Sequence, residues 1–257
     1  MDKEALFLHG FMGSRRDWDP VFEEIDGVEC HAVDLPGHGR SGELSDDRPA
    51  NMEWMADRVL HHIDERFDEK IHLVGYSMGG RVALHLALHH PERFASVVLE
   101  SASPGLGGEA ARAARRKVDA ERARQMVDGG LEVFLRRWYE LAIFGELSTH
   151  PDFEAMLARR LAGDVHNYAR VIREMSPGAQ PDLWPRLDKL QIPSLWVAGG
   201  EDEKYVAIVD RAVKRAPDAE GQIVDGVGHN VHFMAPRQFG ELIKRWLTNR
   251  PGRGAGS

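Results

Sequence analysis

The pentapeptide Gly75-Tyr76-Ser77-Met78-Gly79 decides the fold that we expect for this chain. The apolar residues 71–74 before it predict a buried strand, and residues 81–88 after it predict a helix. A serine in a G-x-S-x-G turn between a strand and a helix is typical of a nucleophile held in a strained backbone. The turn presents the serine oxygen at the helix N-terminus, where the helix dipole favours negative charge. An ordinary turn with a chance serine is the alternative, which both flanks disfavour.

Short apolar strands alternate with helical patterns on both sides of this pentapeptide. The strands are predicted at residues 5–8, 30–35, 71–74, 94–100, 193–198 and 222–224, and the helices at 18–25 (with Asp17 available as a cap), 52–67, 81–88, 206–216 and 236–247. This alternation indicates an α/β fold with a parallel sheet covered on both faces.

The alternation is interrupted after the strand at 94–100, because residues of about 109–175 contain helical patterns and no convincing strand. We interpret this stretch as a helical cap inserted over the carboxyl edge of the sheet. The domain prediction is a core of residues 1–103 and 183–250, a cap of residues 104–182 and a disordered tail of residues 251–257.

Composition limits the classes of partner. The chain has 257 residues, a net charge of −8 and one cysteine, Cys30. The acidic balance disfavours nucleic acid and anionic membranes, and no apolar run approaches the roughly 18 residues that span a bilayer. We expect no intrachain disulfide, no signal peptide, a cytoplasmic location and a monomer or weak homo-oligomer. No His/Cys/Asp cluster has metal-ligand spacing, so we expect no metal and no cofactor.

Two loops late in the chain carry the acid and the base that an activated serine needs. Asp202 and its neighbour Glu201 follow a predicted strand, and the spacing from that strand favours Asp202. His229 lies in a glycine-flanked loop after the last predicted strand, with His232 as the local alternative. The sequence therefore predicts a catalytic group of Ser77, Asp202 and His229.

An oxyanion hole is predicted beside Ser77. It requires backbone N–H groups from the residue after the nucleophile and from the loop after the first strand. Met78 supplies the first group, and Phe11 in the stretch His9-Gly10-Phe11 supplies the second.

Basic side chains are concentrated in the cap and beside Ser77. Arg81 lies four residues after Ser77, one turn along the same side of the predicted helix. The early cap carries Arg112, Arg115, Arg116, Lys117, Arg122 and Arg124 against Asp119 and Glu121, and Arg136, Arg137, Arg159 and Arg160 follow. Most of these side chains fit a solvated helix face. A basic lid in an acidic protein nevertheless favours an anionic substrate, because the planar arginine fork binds both oxygens of a carboxylate.

These motifs, in this order, resemble the α/β-hydrolase fold over nearly the whole chain. The resemblance implies a mostly parallel central sheet flanked by helices, beginning at the family's third strand. The helical cap would then follow the sixth family strand. Because this fold hosts esterases, lipases, dehalogenases, C–C hydrolases and lyases, it does not fix the reaction.

A narrower resemblance is carried by residues 74–83, VGYSMGGRVA. They are similar to the 2-succinyl-6-hydroxy-2,4-cyclohexadiene-1-carboxylate synthase family of menaquinone biosynthesis. The same holds for residues 100–106 (ESASPGL), 137–139 (RWY), 180–183 (QPDL) and 228–230 (GHN). This resemblance implies a lyase that eliminates pyruvate from a small polycarboxylate substrate. Ser77 would be the base that takes a ring proton, activated by His229 and Asp202, with no acyl-enzyme.

The resemblance also implies three arginines that bind substrate carboxylates. Arg81 matches by motif, and counting from the flanking motifs gives Arg115 and Arg160. The alternatives to the last two are Arg112, Arg116 and Arg159. Tyr76 and Trp138 match positions that line the family's pocket, although simple packing would also explain both.

Two other classes of function are weighed against the lyase. A serine ester, thioester or C–C bond hydrolase would use the same catalytic group by nucleophilic attack, and Arg81 and the basic cap disfavour it. A non-enzymatic ligand receptor on this fold is disfavoured by the intact set of serine, acid and histidine.

Overall fold

The computed structural model describes residues 3–42, 44 and 47–249. The strands are β1 (Lys3–Leu8), β2 (Val28–Val33), β3 (Ile71–Tyr76), β4 (Phe94–Glu100), β5 (Ser194–Gly199) and β6 (Ala219–Val224). The α-helices are α1 (Asp19–Phe22), α2 (Met52–Arg66), α3 (Met78–His89), α4 (Glu109–Asp128), α5 (Leu131–Tyr139), α6 (Phe153–Leu161), α7 (Val165–Glu174), α8 (Glu203–Val213), α9 (Val231–Met234) and α10 (Pro236–Asn249). Short 3-10 helices lie at Arg15–Trp18, Pro91–Arg93, Ala142–Phe144, Leu147–Thr149 and Trp184–Lys189. The predicted tail, residues 251–257, lies outside the described residues.

The six strands form one sheet in the order β2-β1-β3-β4-β5-β6, and every pairing is parallel. Alternate residues of β1 serve the two faces: Leu6 and Leu8 pack with α2, α3 and α8, whereas Ala5 and Phe7 pack with α1 and α10. This alternation follows from the two-residue repeat of a strand. Since all strands run the same way, the loops after β1, β3, β5 and β6 meet at one edge of the sheet.

The turn around Ser77 has the strain that the sequence predicts. Ser77 lies between β3 and α3 with φ 49° and ψ −105°, a left-handed region that L residues rarely adopt. A Cβ at Gly79 would lie 2.3 Å from the Leu8 carbonyl oxygen, and one at Gly75 would lie 2.6 Å from the Gly79 carbonyl oxygen. Both neighbours are backbone atoms, so the two glycines let α3 approach β1 and β3 closely.

The cap consists of α4 to α7, inserted between β4 and β5. Its own apolar core includes Met126, Leu135, Met156 and Tyr168, and it contacts the main domain through Met12 and Phe11. Between residues 104 and 182 the structure contains helices and no strand. None of the helices in the described residues combines the length with the hydrophobicity that a membrane-crossing segment needs.

The helix expected at residues 18–25 is wrong in detail. The structure has the 3-10 helix Arg15–Trp18 followed by the four-residue helix α1, with Ser14 rather than Asp17 at the N-cap. Asp17 lies inside the 3-10 helix, where its carboxylate accepts from the Ser14 N–H at 3.1 Å and also from the guanidinium of Arg160.

Gly79→Ala tests the close approach of α3 to β1. We expect the free energy of unfolding to fall by about 2–3 kcal/mol, as for overpacking against atoms that cannot move aside. Urea denaturation followed by circular dichroism measures the change. Gly107→Ala is the control, because the nearest atom to its Cβ would be a side-chain oxygen at 3.7 Å. Equal stability of the two variants would contradict this account of the turn.

Candidate active site

Ser77, His229 and Asp202 form a hydrogen-bonded series at the carboxyl edge of the sheet. The Ser77 hydroxyl donates to Nε2 of His229 at 3.1 Å, and Nδ1–H of His229 donates to Oδ2 of Asp202 at 2.7 Å. His229 is 5% exposed and Asp202 is 2% exposed, so both contacts lie largely away from solvent. The arrangement enables the imidazole to take the serine proton, while the carboxylate fixes its tautomer.

The two alternative residues lie elsewhere. Glu201 is exposed, and its carboxylate lies beside Gly145 rather than at His229. His232 is buried, with Nδ1 at 2.9 Å from both carboxylate oxygens of Glu100. The structure thus brings Asp202 and His229 to Ser77, and it does not bring Glu201 or His232 there.

The cap helps to hold the loop of His229. The His229 N–H donates to the Ile143 carbonyl at 2.7 Å. A Cβ at Gly228 would lie 2.6 Å from the Phe144 backbone, so this loop passes close under the cap. The rings of Phe144, Tyr205 and Tyr76 surround the imidazole, with centroids 5.7, 4.5 and 5.5 Å from it. These rings restrict the access of water to His229.

The two residues predicted to form the oxyanion hole line a cavity next to Ser77. Phe11 and Met78 both line it beside Ser77, and neither of their N–H groups has a protein acceptor in the described part of the chain. The loop of Phe11 is fixed by the fully buried His9: its Nδ1–H donates to the Gly10 carbonyl, and its Nε2 accepts from the Leu35 N–H. Burial lowers the pKa of His9, which agrees with a neutral ring in this role.

A cavity of about 310 Å³ lies between the sheet edge and the cap. Five cationic side chains and two carboxylates line it: Arg81, Arg115, Arg122, Arg160 and Lys204, with Asp17 and Asp119. The cavity therefore has an excess of positive charge although the whole chain is acidic. Such a site favours a ligand with several negative charges.

Arg81 is the cation on α3, one turn after Ser77. It is 8% exposed, and its Nη1 donates to the Met175 carbonyl and to Oε1 of Gln180, both at 2.8 Å. Burial lowers the pKa of Arg81 to about 10, so it remains charged at neutral pH. Within the described residues no carboxylate forms an ion pair with this guanidinium, which leaves its charge for a ligand.

Arg160 is held by an acid that no local sequence pattern pairs with it. Its Nη1 and Nη2 donate to the two carboxylate oxygens of Asp17 at 2.8 and 2.7 Å, and its Nε–H faces the Tyr139 hydroxyl at 3.3 Å. Burial acts to lower the pKa of Arg160, but the charge and hydrogen bonds of Asp17, together with Tyr139, outweigh it and the pKa is raised. Arg160 lines the cavity as expected, with its charge largely neutralised.

Arg115 and Arg122 share one carboxylate. Arg115 Nε donates to Asp119 Oδ2 at 2.8 Å, and Arg122 Nη1 donates to Asp119 Oδ1 at 3.1 Å. Arg122 also stacks over the ring of Trp138, with its Cζ 5.0 Å from the ring centroid. Lys204 adds a cation from the main domain, and partial desolvation, with the charge of Arg115, lowers its pKa.

The other cap arginines do not line this cavity. Arg112 and Arg116 donate to the Gly178 carbonyl, and Arg136 pairs with Glu132 and Glu154 on the surface. Arg159 is one-third exposed and lies 3.8 Å from Asp17. Of the open alternatives, the structure thus brings Arg115 and Arg160 to the cavity rather than Arg112, Arg116 or Arg159.

Tyr76 and Trp138 both line the cavity. Tyr76 is 8% exposed, and burial raises its pKa well above its usual range. Trp138 packs against Phe11 and Phe144, with ring centroids at 5.9 and 6.1 Å. Both rings therefore combine packing with contact to the cavity.

Sequence reasoning missed Arg122, Lys204, Asp17 and Asp119 as parts of the site. The spacing of Arg115, Asp119 and Arg122, four and then three residues apart, places all three on one helix face and could have identified two of them. No comparable pattern identifies Asp17, which lies 143 residues from Arg160.

A possible metal-ligand group lies apart from this cavity. Among the described residues, Glu4, Glu29 and His31 have ligand atoms within 4.8 Å of one another. They lie on β1 and β2, and none of them lines the cavity. Among the residues that the structure describes, no similar group lies in the cavity.

Comparison with known proteins now gives the family. The alpha/beta hydrolase fold family model matches residues 6–236. A 2-succinyl-6-hydroxy-2,4-cyclohexadiene-1-carboxylate synthase from Salmonella paratyphi C is 34% identical over 231 residues, which cover 90% of this chain and 88% of that protein. The chain belongs to this synthase family. Both resemblances that the sequence indicates, to the fold and to the synthase, are confirmed.

Two further relatives agree with membership of the synthase family. The solved structure of MenH from S. aureus matches with a TM-score of 0.92 and 32% identity, over 97% of this chain and 95% of that one. Protein PHYLLO from Arabidopsis thaliana is 35% identical over 260 residues, which cover 95% of this chain and 15% of that much longer protein.

Asp202→Asn and Glu201→Gln form a matched pair that tests which acid acts on His229. A fluorophosphonate reagent should label Ser77 in the unaltered protein, read by mass spectrometry. We expect Asp202→Asn to slow labelling by about 1,000-fold or more, because the imidazole loses its orienting charge. Glu201→Gln should label within about twofold of the unaltered rate, since Glu201 does not contact His229. The reverse pattern would assign the role to Glu201.

Proposed function

We propose that this chain is a lyase of menaquinone biosynthesis that removes a ring proton and eliminates pyruvate. The substrate is 2-succinyl-5-enolpyruvyl-6-hydroxy-3-cyclohexene-1-carboxylate, and the product is 2-succinyl-6-hydroxy-2,4-cyclohexadiene-1-carboxylate. Membership of the synthase family supports this reaction. The observation that carries it is the cationic cavity above Ser77, because an ester hydrolase with an apolar acyl pocket has no use for buried Arg81.

Charge supports a substrate with three carboxylates. The five cations of the cavity exceed its two carboxylates by three. We assign carboxylate binding to Arg81, Arg115 and Arg160, with Tyr76 and Trp138 enclosing the ring. Arg81 is available without competition from a protein carboxylate, whereas an acid engages one N–H group of Arg115 and two N–H groups of Arg160. A guanidinium has five N–H donors, so both retain donors for a ligand.

The first step is proton abstraction. Ser77 passes its hydroxyl proton to Nε2 of His229, and the serine oxygen takes the ring proton of the substrate. Asp202 stabilises the imidazolium that forms. Negative charge then develops on the succinyl ketone as the dienolate forms. The N–H groups of Phe11 and Met78 stabilise that charge, as an oxyanion hole does.

The second step breaks the carbon–oxygen bond to the enolpyruvyl group. The electron pair of the dienolate re-forms the ketone and completes the ring diene, and the enolate of pyruvate leaves. Its carbon takes up one proton to give pyruvate, and the His229 imidazolium releases one proton, so the atoms and charges balance and the catalytic group returns to its starting state. Ser77 forms no covalent bond to the substrate, and the reaction requires neither metal nor cofactor. A cytoplasmic location and a monomeric or weakly associated state remain predictions from the sequence.

The direct test supplies the enolpyruvyl substrate and follows pyruvate with lactate dehydrogenase and NADH. We expect rapid release by the unaltered protein and loss of at least about 1,000-fold in Ser77→Ala, which lacks the base. No release above background, together with rapid hydrolysis of a short p-nitrophenyl ester, would reject the lyase and favour the serine hydrolase.

Arg81→Ala tests the carboxylate role in the same assay. We expect kcat/KM to fall by at least about 100-fold, because an unpaired buried carboxylate costs several kcal/mol. Arg136→Ala removes an equal charge from the exposed face of the cap and should leave kcat/KM within about twofold. Equal rates for the two variants would remove Arg81 from carboxylate binding.

A further inference from the structure

Asp119 is a buried acid of the cap that takes no part in the chemistry proposed above. It lies on α4 and has no exposed surface. Its two carboxylate oxygens accept from Arg115 and Arg122, at 2.8 and 3.1 Å. Both of these arginines line the cavity. A buried carboxylate is costly unless it is paired, and here its partners are cations that face the ligand site.

Asp119 is also linked to Arg81, another of the arginines that line the cavity. The Ser176 hydroxyl donates to Asp119 Oδ2 at 2.7 Å, and it accepts from the Gly178 N–H at 3.1 Å. Ser176 directly follows Met175, whose carbonyl accepts from Arg81 Nη1. The segment after α7 therefore connects the carboxylate on α4 to the backbone acceptor of the guanidinium on α3.

We infer that Asp119 is the positioning residue for three of the four arginines that line this cavity. It holds Arg115 and Arg122 directly, and it holds Arg81 through Ser176 and the carbonyl of Met175. The inference rests on the proposed function, in which Arg81 and Arg115 bind substrate carboxylates.

The physical reason is the repulsion between like charges on long side chains. The guanidinium groups of Arg81, Arg115 and Arg122 repel each other across the cavity, and each side chain loses rotamer entropy when it is held in place. One fixed carboxylate between two of them offsets the repulsion and limits their rotamers before the ligand arrives. A ligand that meets preorganised donors binds more tightly, because less ordering remains to be done.

Asp119 could instead be only a tether between α4 and α7, which pack against each other. A tether alone predicts that its loss lowers thermal stability and leaves substrate affinity unchanged in the protein that remains folded. A positioning role predicts a rise in KM with a much smaller change in kcat, because saturating substrate re-orders the arginines.

The experiment compares Asp119→Asn and Ser176→Ala with Glu121→Gln. Glu121 lies on the same helix and pairs with Arg124, so Glu121→Gln makes the same change of charge away from the cavity. KM and kcat come from the pyruvate assay. The Kd for propane-1,2,3-tricarboxylate comes from calorimetry, and thermal melts report folding.

We expect Asp119→Asn to raise KM and the probe Kd by about 10- to 100-fold, as for loss of a residue that orients a binding group, with kcat within about threefold. Ser176→Ala should raise both by a smaller factor, and Glu121→Gln should change neither by more than about twofold. Unchanged KM and Kd in folded Asp119→Asn overturn the inference. If Asp119→Asn does not fold, unchanged values in Ser176→Ala overturn it.

The calorimetric arm separates this inference from the proposed reaction. If the unaltered protein binds the tricarboxylate but releases no pyruvate, the reaction fails, and loss of that binding in Asp119→Asn still supports positioning. If the unaltered protein does not bind the tricarboxylate, the cavity is not a polycarboxylate site and the inference is overturned.

Discussion

The positive charge of Arg160 is buried between the cap and the main domain and has to be balanced. This constraint governs how the cap meets the main domain. Arg160 on the cap is fully enclosed, and its partner Asp17 comes from the loop after β1. The same loop carries Phe11, whose N–H borders Ser77. One buried ion pair therefore joins the cap to the segment that carries Phe11, one of the two residues proposed for the oxyanion hole. Breaking such a pair by removing one partner leaves an uncompensated charge, which is strongly destabilising.

The parallel sheet provides the other half of the arrangement. Because all strands end at the same edge, Ser77, Asp202 and His229 meet although 152 residues separate the first from the last. The cap closes over this edge and contributes the Ile143 carbonyl, which accepts a hydrogen bond from the His229 N–H. The enclosed space then holds an activated serine next to an excess of cations. This combination suits a reaction in which carboxylates orient the substrate and the serine moves a proton.

Much of this arrangement follows from the sequence, and the rest depends on long-range contacts. The turn at Ser77 is predictable because its glycines and flanks have a local steric cause. The sequence favours Asp202 over Glu201 only by its spacing from the strand, because the side chains of adjacent residues differ mainly in the direction in which they point. The distance from the Asp202 carboxylate to His229 then distinguishes the two acids. Arg160 was expected to face a substrate, but its partner Asp17 was expected to cap a helix. No local pattern links residues that far apart, so the ion pair could not be predicted.

In the proposed reaction, Ser77 moves a proton and makes no bond to carbon. Rapid-quench mass spectrometry of the intact protein during turnover of the enolpyruvyl substrate tests it most directly. We expect the protein to keep its unmodified mass at every time point while pyruvate accumulates. A transient gain in mass that maps to Ser77 and decays as product forms would contradict it.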